Sequence, residues 1–190
     1  MVNDITDLLD KSPIIAALPH TDTEHLIDEI PSPIGVVFML SGNIINIDLK
    51  VRELKSAGKK VFIHIDLIDG LGRDSAAIDY MHQIVKPDGI ISTRNNLLKY
   101  GKDIGLITVQ RLFLIDSRSF HSGINIIKNY EPDFVEVMPG IIPRAIKDLK
   151  EKIHQPIIAG GMLSCKNDII AALKAGAIAV STSDRALWTL

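Results

Sequence analysis

Short runs of apolar, often β-branched residues alternate along the chain with stretches whose apolar residues recur every three or four positions. The short runs predict strands buried on both faces, at 14–18, 35–40, 60–67, 89–93, 111–116, 133–138, 156–159 and 177–181. The periodic stretches predict helices at 23–29, 47–57, 75–84, 97–103, 123–129, 143–152, 166–174 and 184–190. This alternation predicts an α/β fold, a compact (β/α)8 TIM-type barrel that forms a single domain over residues 1–190.

A doubly wound open sheet is the alternative topology. About 24 residues per strand–helix unit leave no room for a second domain or a large lid in a barrel. The last two units favour the barrel, because each ends its strand in glycines or hydroxyl residues, and an open sheet has no need of such a pair of loops.

The two final strand ends predict a phosphate site. Gly160 and Gly161 follow one strand, and their backbone N–H groups can approach an anion because no Cβ stands in the way. Ser181, Thr182 and Ser183 follow the next strand and add hydroxyl donors where a helix is expected to begin. We therefore expect a small phosphorylated ligand.

Inward-facing polar residues supply candidates for the rest of that ligand. His64 and Asp66 share a strand face that is expected to point into the barrel, and Glu136 occupies an inward position on a later strand. A buried carboxylate needs a partner, which a ligand hydroxyl can provide. Arg94 follows the fourth strand. The alternatives are a satisfied polar layer for His64 and a rim salt bridge for Arg94.

A glycine-containing loop at 67–74 joins the third strand to its helix. Asp69, Gly70, Gly72 and Arg73 in this loop make a candidate flap over the ligand, with Arg73 as a contact for phosphate or a partner. The alternative is that the two glycines serve only to turn the chain tightly.

Composition narrows the function classes. A chain of 190 residues that is 46% hydrophobic can bury a core without disulfides, and the single Cys165 fits a reducing cytoplasm. No apolar run is long enough for a membrane span, and no signal peptide is expected. The net charge of −2 predicts no general attraction to nucleic acid. No metal site is expected, because the histidines lack the spacing of a zinc pair.

One basic helix face is the candidate for an RNA contact. Arg144, Lys147 and Lys150 recur along one side of a predicted helix, and a plain solvated face is the alternative. No RNA-recognition, KH or helix-turn-helix pattern accompanies them.

The chain as a whole resembles the glycerol uptake operon antiterminators, which are bacterial regulators that respond to glycerol 3-phosphate. The similar stretches run almost from end to end. They are FMLSGN at 38–43, HIDLIDGL at 64–71, PDGIISTR at 87–94, QRLFLIDS at 110–117, VEVMPG at 135–140, IAGG at 158–161, GAIAVSTS at 176–183 and LW at 187–188.

The resemblance implies a cytoplasmic antiterminator without catalytic activity or a cofactor. Its expected ligand is sn-glycerol 3-phosphate and its expected partner is the leader mRNA of glycerol-uptake operons, with formation of a homo-oligomer left open. The alternative is a barrel enzyme on a small phosphorylated substrate, such as an isomerase, lyase or epimerase, in which Asp66 or Glu136 is the base and His64 the acid. A barrel that binds ligand and a protein partner is the third interpretation.

Overall fold

In this computed structural model, which describes residues 2–20 and 26–190, eight parallel strands close into a barrel. The strands of the described chain are β1 (Ile14–Leu18), β2 (Val36–Met39), β3 (Gly42–Asn43), β4 (Lys60–His64), β5 (Ile68–Asp69), β6 (Gly89–Ser92), β7 (Ile107–Phe113), β8 (Phe134–Met138), β9 (Ile157–Gly160) and β10 (Ala179–Thr182). The order around the barrel is β1-β10-β9-β8-β7-β6-β4-β2, while β3 and β5 form a separate two-stranded sheet. The predicted (β/α)8 barrel is confirmed.

Helices follow most of the barrel strands and cover the outside of the barrel. They are α1 (Val2–Lys11), α2 (Ile47–Ser56), α3 (Ser75–Tyr80), α4 (Asn95–Asp103), α5 (Ser117–Tyr130), α6 (Pro143–Lys150) and α7 (Lys166–Lys174). Local chemistry explains where two of these helices start. The Asp74 side chain accepts the N–H of Ala77 at the start of α3, and a proline is the first residue of α6. Among the described residues no helix is long and apolar enough to cross a membrane.

Alternation along the strands divides the apolar residues into two cores. The interior core lies inside the barrel and includes Phe38, Phe62 and Phe134. The outer core lies between strands and helices and includes Val61, Ile63 and Val135, which are the sequence neighbours of the interior residues. Both faces of each strand are thus buried, which accounts for the nearly continuous apolar runs in the sequence.

Helix α1 closes the N-terminal end of the barrel. Its buried residues Ile5 and Leu9 are one turn apart and belong to the interior core, together with Val36 and Ile107 near the starts of their strands. Leu8 packs against Gly35, where an added Cβ would lie 3.0 Å from a leucine methyl. The helical pattern of α1 was not among the sequence predictions.

Two predicted strands have different bounds in the structure. The strand predicted at 60–67 ends at His64, because Ile65–Leu67 form a 3-10 turn in which Asp66 accepts hydrogen bonds from Ser92 and Thr93. The strand predicted at 111–116 lies earlier, at Ile107–Phe113, because Asp116 caps α5 in a reciprocal pair with Ser119.

The predicted helices differ mainly in their extent. The one predicted at 123–129 is the longer α5, and the one predicted at 75–84 continues from α3 into a π-helical turn at Met81–Val85. The helix predicted at 184–190 is a 3-10 turn at Arg185–Leu187, because the Trp188 indole N–H donates to the Thr182 carbonyl and folds the chain back. Of the helix predicted at 23–29, Leu26–Glu29 form a 3-10 turn and residues 23–25 lie outside the described residues.

Shortening Leu9 tests the role of α1 as the barrel's lower closure. Leu9 is 1% exposed, so Leu9→Ala removes interior contacts, and we expect the free energy of unfolding to fall by about 2–5 kcal/mol in urea denaturation. The control is Asp7→Ala on the exposed side of the same helix, for which we expect a change within about 0.5 kcal/mol. Equal stability of Leu9→Ala and wild type would contradict the closure.

Candidate functional site

Four polar side chains enter the barrel at its C-terminal end, above the apolar interior core. They are His64, Arg111, Glu136 and Ser181, and each is at most 7% exposed. Strand alternation brings them there, since His64 follows Phe62 and Glu136 follows Phe134 at a spacing of two. The predicted inward positions of His64 and Glu136 agree with this arrangement.

Glu136 is the centre of a buried hydrogen-bond network. Arg111 Nε donates to Glu136 Oε2 at 2.6 Å, and Ser181 Oγ donates to Glu136 Oε1 at 2.6 Å. Arg111 and Glu136 are direct partners in the register of β7 and β8. Both carboxylate oxygens of a fully buried side chain are therefore satisfied, one of them by a cation.

Gly160 is a glycine because the network needs its space. It lies opposite Ser181 in the pairing of β9 and β10. An added Cβ would lie 2.6 Å from Ser181 Oγ and 2.7 Å from Glu136 Oε1. The bond between Glu136 and Ser181 thus passes over β9 only because position 160 has no side chain.

A cavity of about 140 Å³ opens above this network. Its polar wall includes Arg111 and Gly161 and the predicted hydroxyl residues Ser181, Thr182 and Ser183. Gly161 has φ +77°, a conformation that favours glycine. Leu40, Met138 and Leu163 contribute apolar walls. The structure therefore brings most of the predicted phosphate residues together, with Gly160 in the network beneath them.

The turn after β10 is held by its own hydrogen bonds. The N–H of Asp184 donates to Thr182 Oγ1 at 3.1 Å, and the Asp184 carboxylate accepts the N–H of Ala186 at 3.0 Å. The 3-10 turn that follows spans only Arg185–Leu187. The donors that face the cavity are consequently hydroxyls and loop amides rather than the end of a long helix.

His64 is neutral in the folded barrel. Burial, aided by the nearby Arg111 guanidinium and opposed by Asp66, lowers the pKa of His64 to about 4. Its Nδ1 lies 3.8 Å from Asp66 Oδ2, which is too far for a hydrogen bond. Within the described residues, His64 Nδ1 and Asp66 Oδ1 are buried polar atoms without a hydrogen-bond partner.

Asp66 connects the end of β4 to the end of β6 through hydrogen bonds. Its Oδ2 accepts the Ser92 hydroxyl at 2.7 Å and the Thr93 N–H at 3.1 Å. Arg94 Nε lies 3.2 Å from Asp66 Oδ1 as an ion pair, with the Arg94 side chain 44% exposed. Asp66 and Arg94 are thus neighbours at the rim, and Asp66 still presents one oxygen that accepts no hydrogen bond from the described residues.

The candidate flap is attached to the preceding loop. Strand β5, which contains Asp69, pairs in parallel with β3, and the N–H of Ile44 donates to the Asp69 carbonyl at 2.9 Å. Gly70 has φ +79° and lies against Ile44, where a Cβ would come within 2.8 Å of a methyl group. Gly72 and Arg73 are exposed beyond this contact. The two loops therefore form one unit at the rim.

The predicted basic face does not lie as a whole beside the mouth of the barrel, which is the opening at its C-terminal end. Arg144 lies in the first turn of α6, at the mouth end, with its side chain 92% exposed and 3.8 Å from Asp148. Lys147 and Lys150 are exposed farther along the helix, and the stem of Lys150 packs over Gly176. Only Arg144 of these three lies near the C-terminal end of the barrel.

Sequence reasoning missed Arg111. The predicted strand began at residue 111, which placed this arginine at the N-terminal end of the barrel, far from the ligand. The strand begins at Ile107, so Arg111 is its fifth residue and lies inside near the mouth. An alternation count from Ile107 through Val109 indicates the inward position once the correct start is known.

Removing the charge of Glu136 tests the buried network. Glu136→Gln leaves the Arg111 cation buried without a counter-ion, and we expect the free energy of unfolding to fall by about 3 kcal/mol in urea. Adding Arg111→Met to this variant removes the orphan charge and should recover part of that loss. The matched control is Glu29→Gln, whose partner Arg185 is also 2.6 Å away but 62% exposed, and should cost less than about 1 kcal/mol. Equal losses of stability in Glu136→Gln and Glu29→Gln would contradict the importance of the buried network.

Acid sensitivity tests the neutral His64. In the unfolded chain His64 takes up a proton near pH 6.5, whereas in the folded barrel it stays neutral down to about pH 4. Its contribution to stability is therefore present above pH 6.5 and is lost as the pH falls from 6.5 to 4, by about 2–3 kcal/mol. His64→Gln should lose that much less stability than wild type between pH 7.5 and pH 4.5 in urea denaturation. The control is His121→Gln at an exposed position, and its stability should fall with pH as that of wild type does. An equal fall in stability for wild type, His64→Gln and His121→Gln would exclude a neutral His64.

Comparison with known proteins places the chain among regulators. The model of the glycerol-3-phosphate responsive antiterminator family matches residues 14–188. The uncharacterized protein YgcP of Escherichia coli (strain K12) is 38% identical over 183 residues, which cover 96% of this chain and 95% of YgcP.

Two solved structures are similar along almost their whole length. The glycerol uptake operon antiterminator regulatory protein of Listeria monocytogenes str. 4b F2365 superposes with a TM-score of 0.88 and 35% identity, covering 94% of this chain and 95% of that one. The glycerol uptake operon antiterminator-related protein of Thermotoga maritima MSB8 has a TM-score of 0.83 and 34% identity, covering 93% and 98%. The chain therefore belongs to the glycerol-3-phosphate responsive antiterminator family, whose members are regulators rather than enzymes.

Proposed function

We propose that this protein binds sn-glycerol 3-phosphate in the barrel mouth and, in response, acts as a cytoplasmic transcription antiterminator on the leader mRNA of glycerol-uptake operons. Family membership supports the ligand class and the regulatory role. The observation that carries the ligand site is that, among the described residues, His64 Nδ1 and Asp66 Oδ1 are buried and make no hydrogen bond, in a mouth that also holds the hydroxyl-lined cavity.

The two parts of the mouth suit the two ends of the ligand. Strand β4, which carries His64, lies four positions around the eight-stranded barrel from β9, which leads into Gly161. Groups on these strands thus face each other across the opening. A small phosphorylated polyol can place its phosphate against β9 and β10 and its hydroxyls against β4.

The phosphate end offers several hydrogen-bond donors. We assign the phosphate to the amide of Gly161, the hydroxyls of Ser181, Thr182 and Ser183, and the terminal nitrogens of Arg111, which lines the same cavity. Glu136 uses both oxygens for Arg111 and Ser181, so in this proposal it orients those two donors. The predicted contact between Glu136 and a polyol hydroxyl remains a prediction.

The polyol end offers an acceptor and an imidazole. Asp66 Oδ1 can accept a hydroxyl hydrogen, and the neutral imidazole of His64 can donate or accept at Nδ1 according to its tautomer. A ligand hydroxyl there would give each of these two buried atoms a hydrogen bond that the described residues do not provide. Arg94 lies beside Asp66 and is assigned a supporting contact at the rim.

Binding of leader RNA tests the regulatory proposal directly. Purified full-length protein is titrated with glycerol-operon leader RNA and with a scrambled RNA, at two salt concentrations, with and without sn-glycerol 3-phosphate. Leader-selective binding that changes with the ligand supports the antiterminator role. Ligand binding without any RNA binding would overturn the RNA half of the proposal and favour a barrel that signals to a protein partner.

Removing one charge at Asp66 tests the polyol end. For Asp66→Asn we expect between about 10-fold and 100-fold weaker binding of sn-glycerol 3-phosphate in calorimetry, because the hydroxyl loses a charged acceptor. Binding of inorganic phosphate should change little, since the phosphate contacts lie across the mouth.

The matched control for Asp66 is Asp103→Asn. Asp103 is an exposed carboxylate at the C-terminal end of α4, away from the mouth, and we expect its variant to bind both ligands as wild type does. Thermal unfolding of each variant checks that the barrel is intact. Unchanged affinity of Asp66→Asn for sn-glycerol 3-phosphate would remove Asp66 from the ligand site.

A further inference from the structure

A groove of about 390 Å³ lies outside the mouth, between the first turns of α5 and α6. Its floor is apolar and is formed by Leu114, Phe120 and Ile142. Ile115 stands at its edge with 84% of its surface exposed. None of the sequence predictions concerned this groove apart from Arg144, which lines it.

The groove shares its walls with the ligand cavity. The N–H of Leu114, on the groove floor, donates to the carbonyl of Met138, whose side chain lines the cavity, at 2.8 Å. The N–H of Gly140 donates to the Gly160 carbonyl at 2.6 Å and to the Gly161 carbonyl at 3.1 Å. The segment 139–142 therefore runs from the ligand cavity to the groove, with contacts to both.

The carboxylates of the groove complement the amino groups of a nucleobase. Asp116 and Asp148 line it and offer carboxylate acceptors, which suit the amino groups of a base. The Ser119 amide, together with its hydroxyl, lowers the pKa of Asp116, so this acceptor stays ionised. Phe120 and His121 meet edge to face at a centroid distance of 5.8 Å, which adds an aromatic wall.

Two arginines supply the charge that a nucleic-acid backbone needs. Arg144 is 92% exposed at one side of the groove. Arg118 lines a shallower depression that shares Ile115 and Asp116 with the groove. Arginine beside an apolar and aromatic floor is the combination that unpaired RNA bases use, because the base stacks while the guanidinium meets the phosphate.

We infer that this groove binds an unpaired base of the leader RNA, with Arg144 and Arg118 on the neighbouring phosphates. The inference rests on the proposed RNA binding and assigns its location. It also gives a physical route for ligand dependence, since Met138 lines the cavity and the segment 139–142 that follows it reaches the groove at Ile142. The lysines toward the far end of α6, Lys147 and Lys150, have no such connection to the cavity.

Two exposed positions test the groove, each with a matched control. Ile115→Ser removes an edge contact, and the control Ile45→Ser changes an isoleucine that is 83% exposed on another part of the rim. Arg144→Ala removes a helix arginine paired with an aspartate four residues away, and the control Arg52→Ala removes the corresponding member of the Asp48–Arg52 pair. All four variants keep their buried residues, and thermal unfolding together with sn-glycerol 3-phosphate binding verifies the fold.

We expect at least about 10-fold weaker leader RNA binding for Ile115→Ser combined with Arg144→Ala, and wild-type binding for the combined controls. Arg144→Ala alone should lower the slope of log affinity against log salt by about one, as loss of one phosphate contact requires. RNA carrying 4-thiouridine should crosslink to peptides from α5 or α6 that line the groove.

The outcomes separate this inference from the proposed function. If wild type binds leader RNA in a ligand-dependent way and the groove variants bind equally well, the groove assignment is wrong while the antiterminator role stands. If Lys150→Ala weakens binding and the groove variants do not, the RNA lies on the lysine side of α6 instead. If wild type binds no RNA with or without ligand, the RNA half of the proposed function fails and the groove assignment fails with it.

Discussion

The fully buried carboxylate of Glu136 sets the conditions for the rest of the mouth. A charge in this position is stable only with close partners, and Arg111 and Ser181 provide them from β7 and β10, on either side of β8 and β9. That arrangement requires one register of the four neighbouring strands β7 to β10 and a glycine at position 160. The network therefore links the hydrophobic architecture below it with the hydroxyl-lined cavity above it.

The two sides of the mouth differ in how completely their polar groups are satisfied. Around Glu136 both carboxylate oxygens accept hydrogen bonds, so the pair of Glu136 and Arg111 forms a fully satisfied floor beneath the cavity. Around His64 and Asp66 the described residues leave two buried polar atoms without a hydrogen bond, and one of these atoms, Asp66 Oδ1, has only the ion pair with Arg94. Buried polar atoms rarely stay unpaired, because each carries a desolvation cost. The difference points to the side where the proposed ligand has most to contribute, and burial holds the pKa of the His64 imidazole there at about 4.

Ligand and RNA need a physical connection if one is to influence the other. For the proposed sites, residues 138–142 offer a short connection, since Met138 at the end of β8 borders the cavity and Ile142 borders the groove. The unit formed by β3 and β5 provides a second element at the rim, and Asp66, shortly before β5, bonds to Ser92 of β6. Neither element requires a large lid, which agrees with the short loops of this barrel.

The sequence by itself determined the barrel, the inward positions of His64 and Glu136, and the grouping of glycines and hydroxyls at the last two strands. These features follow from alternation along single strands, which is a local property. The tertiary structure decided the partners: Arg111 meets Glu136 across 25 positions, and Ser181 meets Glu136 across 45. Alternation tells which face a residue occupies and says nothing of where a strand begins, so a predicted start four residues too late placed Arg111 at the wrong end of the barrel. The closure by α1, the pairing of β3 with β5 and the groove beside α6 likewise depend on contacts between distant segments, which no local pattern specifies.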